Sequence, residues 1–193
     1  MKSIISPMLT TVADNVFDKS NFQGEIFFNW VRVFLERDSE WKAYLNDIFK
    51  DYLFNDCTTL AWTILDWEII VKINGEFVKD WGSEEVNKLS SISEAPENVE
   101  FVYVVYDILS FLGRDLQNYP LHIRKTILEE AMISLDNVFA WKYNKKIILS
   151  LPIKHNKETF DAMVNMGYKW MIIKDLNSPY IQWEESKYWQ KII

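Results

Sequence analysis

Cysteine is almost absent from this sequence: Cys57 is the only one in 193 residues. An internal disulfide is thereby excluded, and with it the stapled scaffold of small secreted domains. Histidine occurs only at His122 and His155, and neither H-x-x-x-H nor C-x-x-C spacing is present, so no metal-ligand set can be written. Glycine and proline number only 5 each, with no Gly-rich phosphate loop and no G-x-S-x-G turn. Long apolar runs are also missing. Ile69–Ile73 and Phe101–Tyr106 are too short to span a bilayer and read as buried strands, and no apolar leader opens the chain. The expectation is a reduced, cytoplasmic chain. Positive charge is scarce as well: 21 basic residues face 28 acidic ones, a net charge of -7. Nucleic-acid affinity rests on phosphate neutralisation, so DNA is disfavoured as a partner. The best basic cluster, Lys142, Lys145, Lys146 and Lys154, reads more simply as a solvated hairpin surface.

What the chain does have is apolar and aromatic bulk: 49% hydrophobic and 16% aromatic residues, enough for one domain with a substantial core. Ile26–Glu36 alternates as a strand does. Glu40–Leu53 spaces Trp41, Tyr44, Leu45, Ile48, Phe49 and Tyr52 as one face of a helix. Glu68–Val78 predicts a hairpin turning at Asn74-Gly75. Trp81–Val99 is polar and reads as a loop. Phe101–Phe111 predicts a strand with a helix-like exit, and Pro120–Leu135 a helix with Ile123, Ile127, Leu128 and Ala131 inward. A strand at Ile147–Leu151, a helix at Lys157–Met166 and a strand at Lys169–Lys174 complete an α+β pattern. The acidic pairs Glu84-Glu85, Glu129-Glu130 and Glu184-Glu185 read as solvated faces.

Several stretches carry a family resemblance, in order and across almost the whole chain. Ser6-Pro7-Met8-Leu9 looks like a ligase lead-in, and Glu25-Ile26-Phe27-Phe28-Asn29-Trp30-Val31-Arg32 resembles E-x-K-x-D-G-x-R. Ile73–Val78 resembles L-D-G-E-I-V, and Phe101–Leu116 resembles F-D-L-L-x-x-x-G-x-D-L, followed by Pro120-Leu121 and Arg124-Lys125 for P-L-x-x-R-R. Met166–Lys174 aligns with G-x-E-G-I-V-x-K. Asn177–Tyr180 and Ser186–Lys191 match S-P-Y and S-x-x-W-x-K-x-K. On these motifs the chain resembles the adenylation (nucleotidyltransferase) domain of ATP-dependent DNA ligases. The resemblance implies two antiparallel sheets flanked by helices, the ligase and capping-enzyme (ATP-grasp-like) fold. The expectation is a single adenylation-type domain over residues 1–193, without the OB-fold domain that family members add.

The departures from the family pattern fall on its chemistry. Phe27 stands where the adenylated lysine belongs, and a phenyl ring has no lone pair with which to attack phosphorus. Asn29 replaces an aspartate, and Trp30 replaces a glycine that would let a nucleotide approach. Phe27 and Trp30 are therefore expected to plug the pocket. Lys169 replaces a metal-associated glutamate, which opposes cation binding, and Ile193 replaces a second terminal lysine. No catalytic residue, no metal and no cofactor are expected, ATP and Mg being needed only if the site is competent.

The residues retained at nucleotide-binding positions are Arg32, Glu76, Tyr106, Lys174 and Lys191. The resemblance puts Glu76 on the ribose, Tyr106 on the purine and the basic groups on phosphates. Packing explains them too: Tyr106 as strand core, Arg32 and Glu76 as each other's partner, and Lys174 as a surface charge. A relocated nucleophile at Lys169 is a further expectation to test. The leading reading is a DNA-ligase-like pseudoenzyme acting as a binding or scaffold module. Its partner is expected to be a protein, met through aromatics such as Trp81, Trp183 and Tyr188, in a DNA repair or phage and mobile-element setting. The alternatives are a ligase or ligase subunit whose chemistry comes from a partner or a moved lysine, and a non-covalent nucleotide sensor. Ser39–Asp66 matches no family motif.

Overall fold

The computed structural model describes residues 8–13, 17–28, 31–37, 43–44, 62–78, 97–142, 146–182 and 185–193. Their elements run β1 (Leu9–Val12), β2 (Phe22–Phe27), β3 (Val31–Arg37), β4 (Ala43–Tyr44), β5 (Ile64–Ile73), β6 (Glu76–Phe77), β7 (Val99–Phe111), β8 (Arg114–Asp115), α1 (Leu121–Lys142), β9 (Lys146–Leu149), α2 (Lys157–Asn165), β10 (Trp170–Asp175) and β11 (Glu185–Ile192). The chain divides into two compact units, each built on one sheet.

The first unit holds Met1–Asn29, Gln117–Ile123 and Ser150–Ile193, with strand order β1-β11-β10-β2. Its pairs are antiparallel except for the parallel edge pair of β1 with β11. Strand alternation divides this sheet into two faces. Ile26, Met171, Ile173 and Ile192 point to one side, where they pack with Met163 and Phe160 of α2 and with Phe17, Phe22 and Tyr168. α2 is fixed at its start by Asn156, whose Oδ1 accepts from the Thr159 amide at 2.8 Å. It ends at Gly167, whose φ of 87° fits the left-handed exit that glycine favours.

The second unit holds Trp30–Leu116 and Arg124–Leu149, with strand order β4-β3-β5-β7-β8 and β6 and β9 paired to β5 and β7. The β5–β7 ladder is its backbone, and Leu65, Ile69, Val71, Val102 and Val105 are fully buried along it. The parallel pair β7–β9 is the exception to antiparallel pairing here. The hairpin expected at Asn74-Gly75 is present, with positive φ at both residues (54° and 84°), the requirement of a type I′ turn. A Cβ at Gly75 would meet nothing within 4 Å, so Gly75→Ala tests conformation alone. It is expected to cost about 1 kcal/mol in urea unfolding.

Three expectations need correction. β7 does not leave in a helix-like turn: Leu112 and Gly113 both take positive φ (49° and 84°), making a second tight hairpin into β8. Ala43 and Tyr44 lie in a strand rather than a helix, while the rest of 40–53 lies outside the described residues, as does nearly all of 81–99. The inward face of α1 holds at Leu128 and Ala131, with Ile127 half-buried, but not at Ile123. Leu121, Arg124, Leu128 and Ala131 are buried and Ile123 is exposed, because Asp107 draws Arg124 inward.

Candidate functional site

Register places the motif residues of the first unit on a single sheet face, the one turned away from α2. Phe27 pairs with Trp170, Glu25 pairs with Ile172, which pairs with Lys191, and Gln23 pairs with Lys174, which pairs with Trp189. These eight residues share one face because each pair lies directly across the ladder. Two diagonal reaches then decide the chemistry.

Lys174 reaches towards β2. Its Nζ lies 2.7 Å from Glu25 Oε2, with both side chains about 1% exposed, and 4.0 Å from the centroid of the Trp189 ring. Glu25 is otherwise well supplied with donors: Gln23 Nε2 donates to Oε1 at 2.7 Å and Ser150 Oγ to Oε2 at 3.2 Å. Lys174 is therefore a buried ion-pair member and not a surface charge.

Lys191 reaches one row further along the ladder, over Trp170 at 4.1 Å and Phe27 at 5.6 Å from the ring centroids. No carboxylate pairs with it among the described residues. Burial lowers its ammonium from the ordinary lysine value, against the attraction of the ring faces. Phe27 and Trp170 themselves form a tilted ring pair, 6.4 Å between centroids. Trp30, like Asn29, lies outside the described residues. Lys169 stands exposed just before β10.

In the second unit Glu76 is exposed on the short strand after the turn. The buried glutamate is Glu68 on β5, whose Oε2 accepts from the Tyr106 hydroxyl at 2.7 Å. Leu65-Asp66-Trp67-Glu68-Ile69-Ile70 meets four of the six positions of L-D-G-E-I-V, whereas Ile73–Val78 meets three. Glu68 could therefore have been found from sequence; the Asn-Gly turn at 74-75 drew the motif out of register. Trp67 then stands at a motif glycine, as Trp30 and Trp170 do. It points to the face opposite Glu68, fully buried with its ring 5.2 Å from Tyr103, so it is core. The backbone of Arg32 pairs with that of Glu68; the Arg32 side chain lies outside the described residues.

Other motifs turn out to be joinery. Tyr180 of S-P-Y packs edge-on against Trp189 of S-x-x-W at 5.6 Å, and its hydroxyl accepts from the Met8 amide at 3.2 Å. Three sequence-distant motifs meet in that one contact. His122 sits at the exposed start of α1, its Nδ1 2.9 Å from the Leu176 carbonyl, and His155 Nε2 lies 2.9 Å from the Lys19 carbonyl. Tyr188 is half-buried beside Lys187, and Trp81 and Trp183 lie outside the described residues.

A family model, the ATP dependent DNA ligase domain, matches residues 34–192. The chain belongs to the ATP-dependent DNA ligase family. It is 27% identical over 194 residues to the SPbeta prophage-derived DNA ligase-like protein LigB of Bacillus subtilis, covering 98% of this chain and 67% of that one. It is 25% identical to a DNA ligase of Methanocorpusculum labreanum over 98% of its own length but 33% of the relative's. The fold is that of ligase nucleotidyltransferase domains. Mycobacterial DNA ligase D, solved with ATP and MES, superposes with a TM-score of 0.70 at 20% identity, over 97% of this chain and 60% of that one. The bacteriophage T7 ATP-dependent ligase, solved with ATP, gives 0.65 at 13%, over 96% and 68%. This ligase-family chain thus spans about a third to two thirds of these four proteins.

The residues present do not suit ATP and Mg in the manner that the family resemblance implies. The first-motif position holds a phenyl ring packed on an indole, the fourth-motif lysine is committed to Glu25, and an exposed lysine fills the metal-carboxylate position. Among the described residues no group of three acidic, His or Cys side chains could hold a metal.

Proposed function

We propose that this chain is a ligase-type adenylation domain that does not form an enzyme–AMP intermediate and works as a binding or scaffold module. The observation that carries the reading is the Phe27–Trp170 ring pair beneath Lys191, where a nucleophilic amine would otherwise project. Fold kept with chemistry lost is expected where surfaces rather than bond-making are used. In this reading Glu68 with Tyr106 takes the place first assigned to Glu76, and Trp170 joins Phe27 as the plug. Net charge -7 favours a protein partner over DNA.

The test is intact-mass measurement after incubation with ATP and magnesium, beside nick sealing on labelled duplex. No AMP adduct and no sealed product are expected. Phe27→Lys is expected to remain unreactive, because Trp170 still fills the face and Lys174 stays paired. An adduct on the unaltered chain would overturn the proposal, and its position would identify the relocated lysine. Lys191, beside the Phe27 ring, is a better-placed candidate than the exposed Lys169.

A further inference from the structure

We propose that Lys191 is an acyl-acceptor site: its amine, seated on the Trp170 and Phe27 rings, takes the acyl group of a small thioester ahead of the exposed lysines of this chain. The inference goes beyond the binding-or-scaffold reading and does not depend on it, since no nucleotide takes part.

Two other lysine settings in this chain set Lys191 apart. Lys174 is buried and paired with Glu25 at 2.7 Å, so its nitrogen is held as an ammonium out of contact with solvent. Lys154 and Lys169 are exposed, where hydration favours the charged amine. Lys191 is half-buried yet reachable, over two ring faces, with Val12 next to it across the β1–β11 pair and no carboxylate partner among the described residues. Its backbone is fixed from both sides, by the Ala13 amide that donates to its carbonyl at 3.1 Å and by its register with Ile172. The amine therefore rests on an apolar floor. The rings attract its charged form, but burial outweighs them and lowers it from the ordinary lysine value. The cause is lost hydration rather than electron withdrawal, so the lone pair keeps its strength while more of it is available. The neutral Nζ adds to the thioester carbonyl carbon, and the C–S bond breaks with its electron pair going to sulfur. The proton shed by nitrogen passes to the departing thiolate through solvent, leaving an amide and a thiol. The amide carries no charge, so acylation takes the cation off the ring faces.

The probe is S-acetyl-N-acetylcysteamine, an uncharged thioester without phosphate, added in excess to the full folded chain at neutral pH. Acetylation of each lysine is followed by peptide mass spectrometry, beside the same chain in concentrated urea. In the folded chain Lys191 is expected to react about threefold or more faster than Lys154 and Lys169, with the preference gone in urea and Lys174 unmodified until unfolding. Trp170→Ala removes the nearer ring and lets water reach the amine, so Lys191 is then expected to slow to the rate of Lys154. Should circular dichroism show that variant to be unfolded, Phe27→Ala is read in its place. A preference below about threefold in the folded chain overturns the proposal. So does a preference that persists in urea, or one that survives undiminished in a folded variant lacking the ring.

Discussion

Arg124→Ala is expected to lower the unfolding free energy by roughly 3–5 kcal/mol, a fall of about 6–20 °C in melting temperature for a chain of this size. Arg124 Nε donates to Asp107 Oδ1 at 2.9 Å and NH2 to Oδ2 at 2.8 Å, with both side chains fully buried. Asp107 Oδ1 also accepts from the Ile108 amide at 2.8 Å, so the carboxylate pins β7 and α1 together. Removing the guanidinium strands a buried charge, whose desolvation is no longer compensated. Arg124→Lys keeps the charge but loses the two-pronged geometry and is expected to fall between the two. Lys157→Ala is the control: its i,i+4 pair with Asp161 is exposed, and a change within about 0.5 kcal/mol is expected. Denaturant unfolding followed by circular dichroism measures all three. A change of under 1 kcal/mol for Arg124→Ala would show that the pair does not clamp the unit.

This clamp also explains why the match from Phe101 to Lys125 was the most specific part of the sequence. Asp107 and Arg124 lie 17 residues apart yet form one bidentate contact, so neither can change alone. The motif records packing, not chemistry. Met8, Tyr180 and Trp189 tell the same story in the first unit. Fold was therefore legible from motifs whose reason is structural, together with the continuous apolar runs within β5, β7 and β10. What sequence could not give was the direction of side chains. Lys174 and Lys191 read alike as retained lysines, and only the register of β2, β10 and β11 shows one reaching a carboxylate and the other two rings. Glu68 was missed for a local reason: Trp67 in the glycine place hid the fuller match at 65–70, and the turn at Asn74-Gly75 drew the assignment to 73–78. The amphipathic reading of α1 holds at Leu128 and Ala131 and misses at Ile123, because apolar spacing cannot anticipate a buried arginine.

Lys174→Met is expected to cost a similar amount, about 3–5 kcal/mol. Methionine fills much of the lysine volume and keeps the contact with Trp189, so the loss isolates the charge. Glu25 keeps its bonds from Gln23 and Ser150 but loses the ammonium at 2.7 Å, becoming a buried anion without a cation. Acid relieves that state, since a protonated Glu25 needs no counter-charge, and the gap between variant and parent should narrow as pH falls towards the range where carboxylates protonate. Glu25→Gln alone strands the ammonium instead. A double-mutant cycle with Glu25→Gln and Lys174→Met then reads the pair directly. The double variant should recover most of what either single change loses, which means a coupling larger than the loss of either single variant. Additive losses, or a Lys174→Met deficit that stays constant from neutral to acid pH, would mean that the two side chains stabilise the sheet separately. That outcome would remove the reason for holding Lys174 apart from ligands.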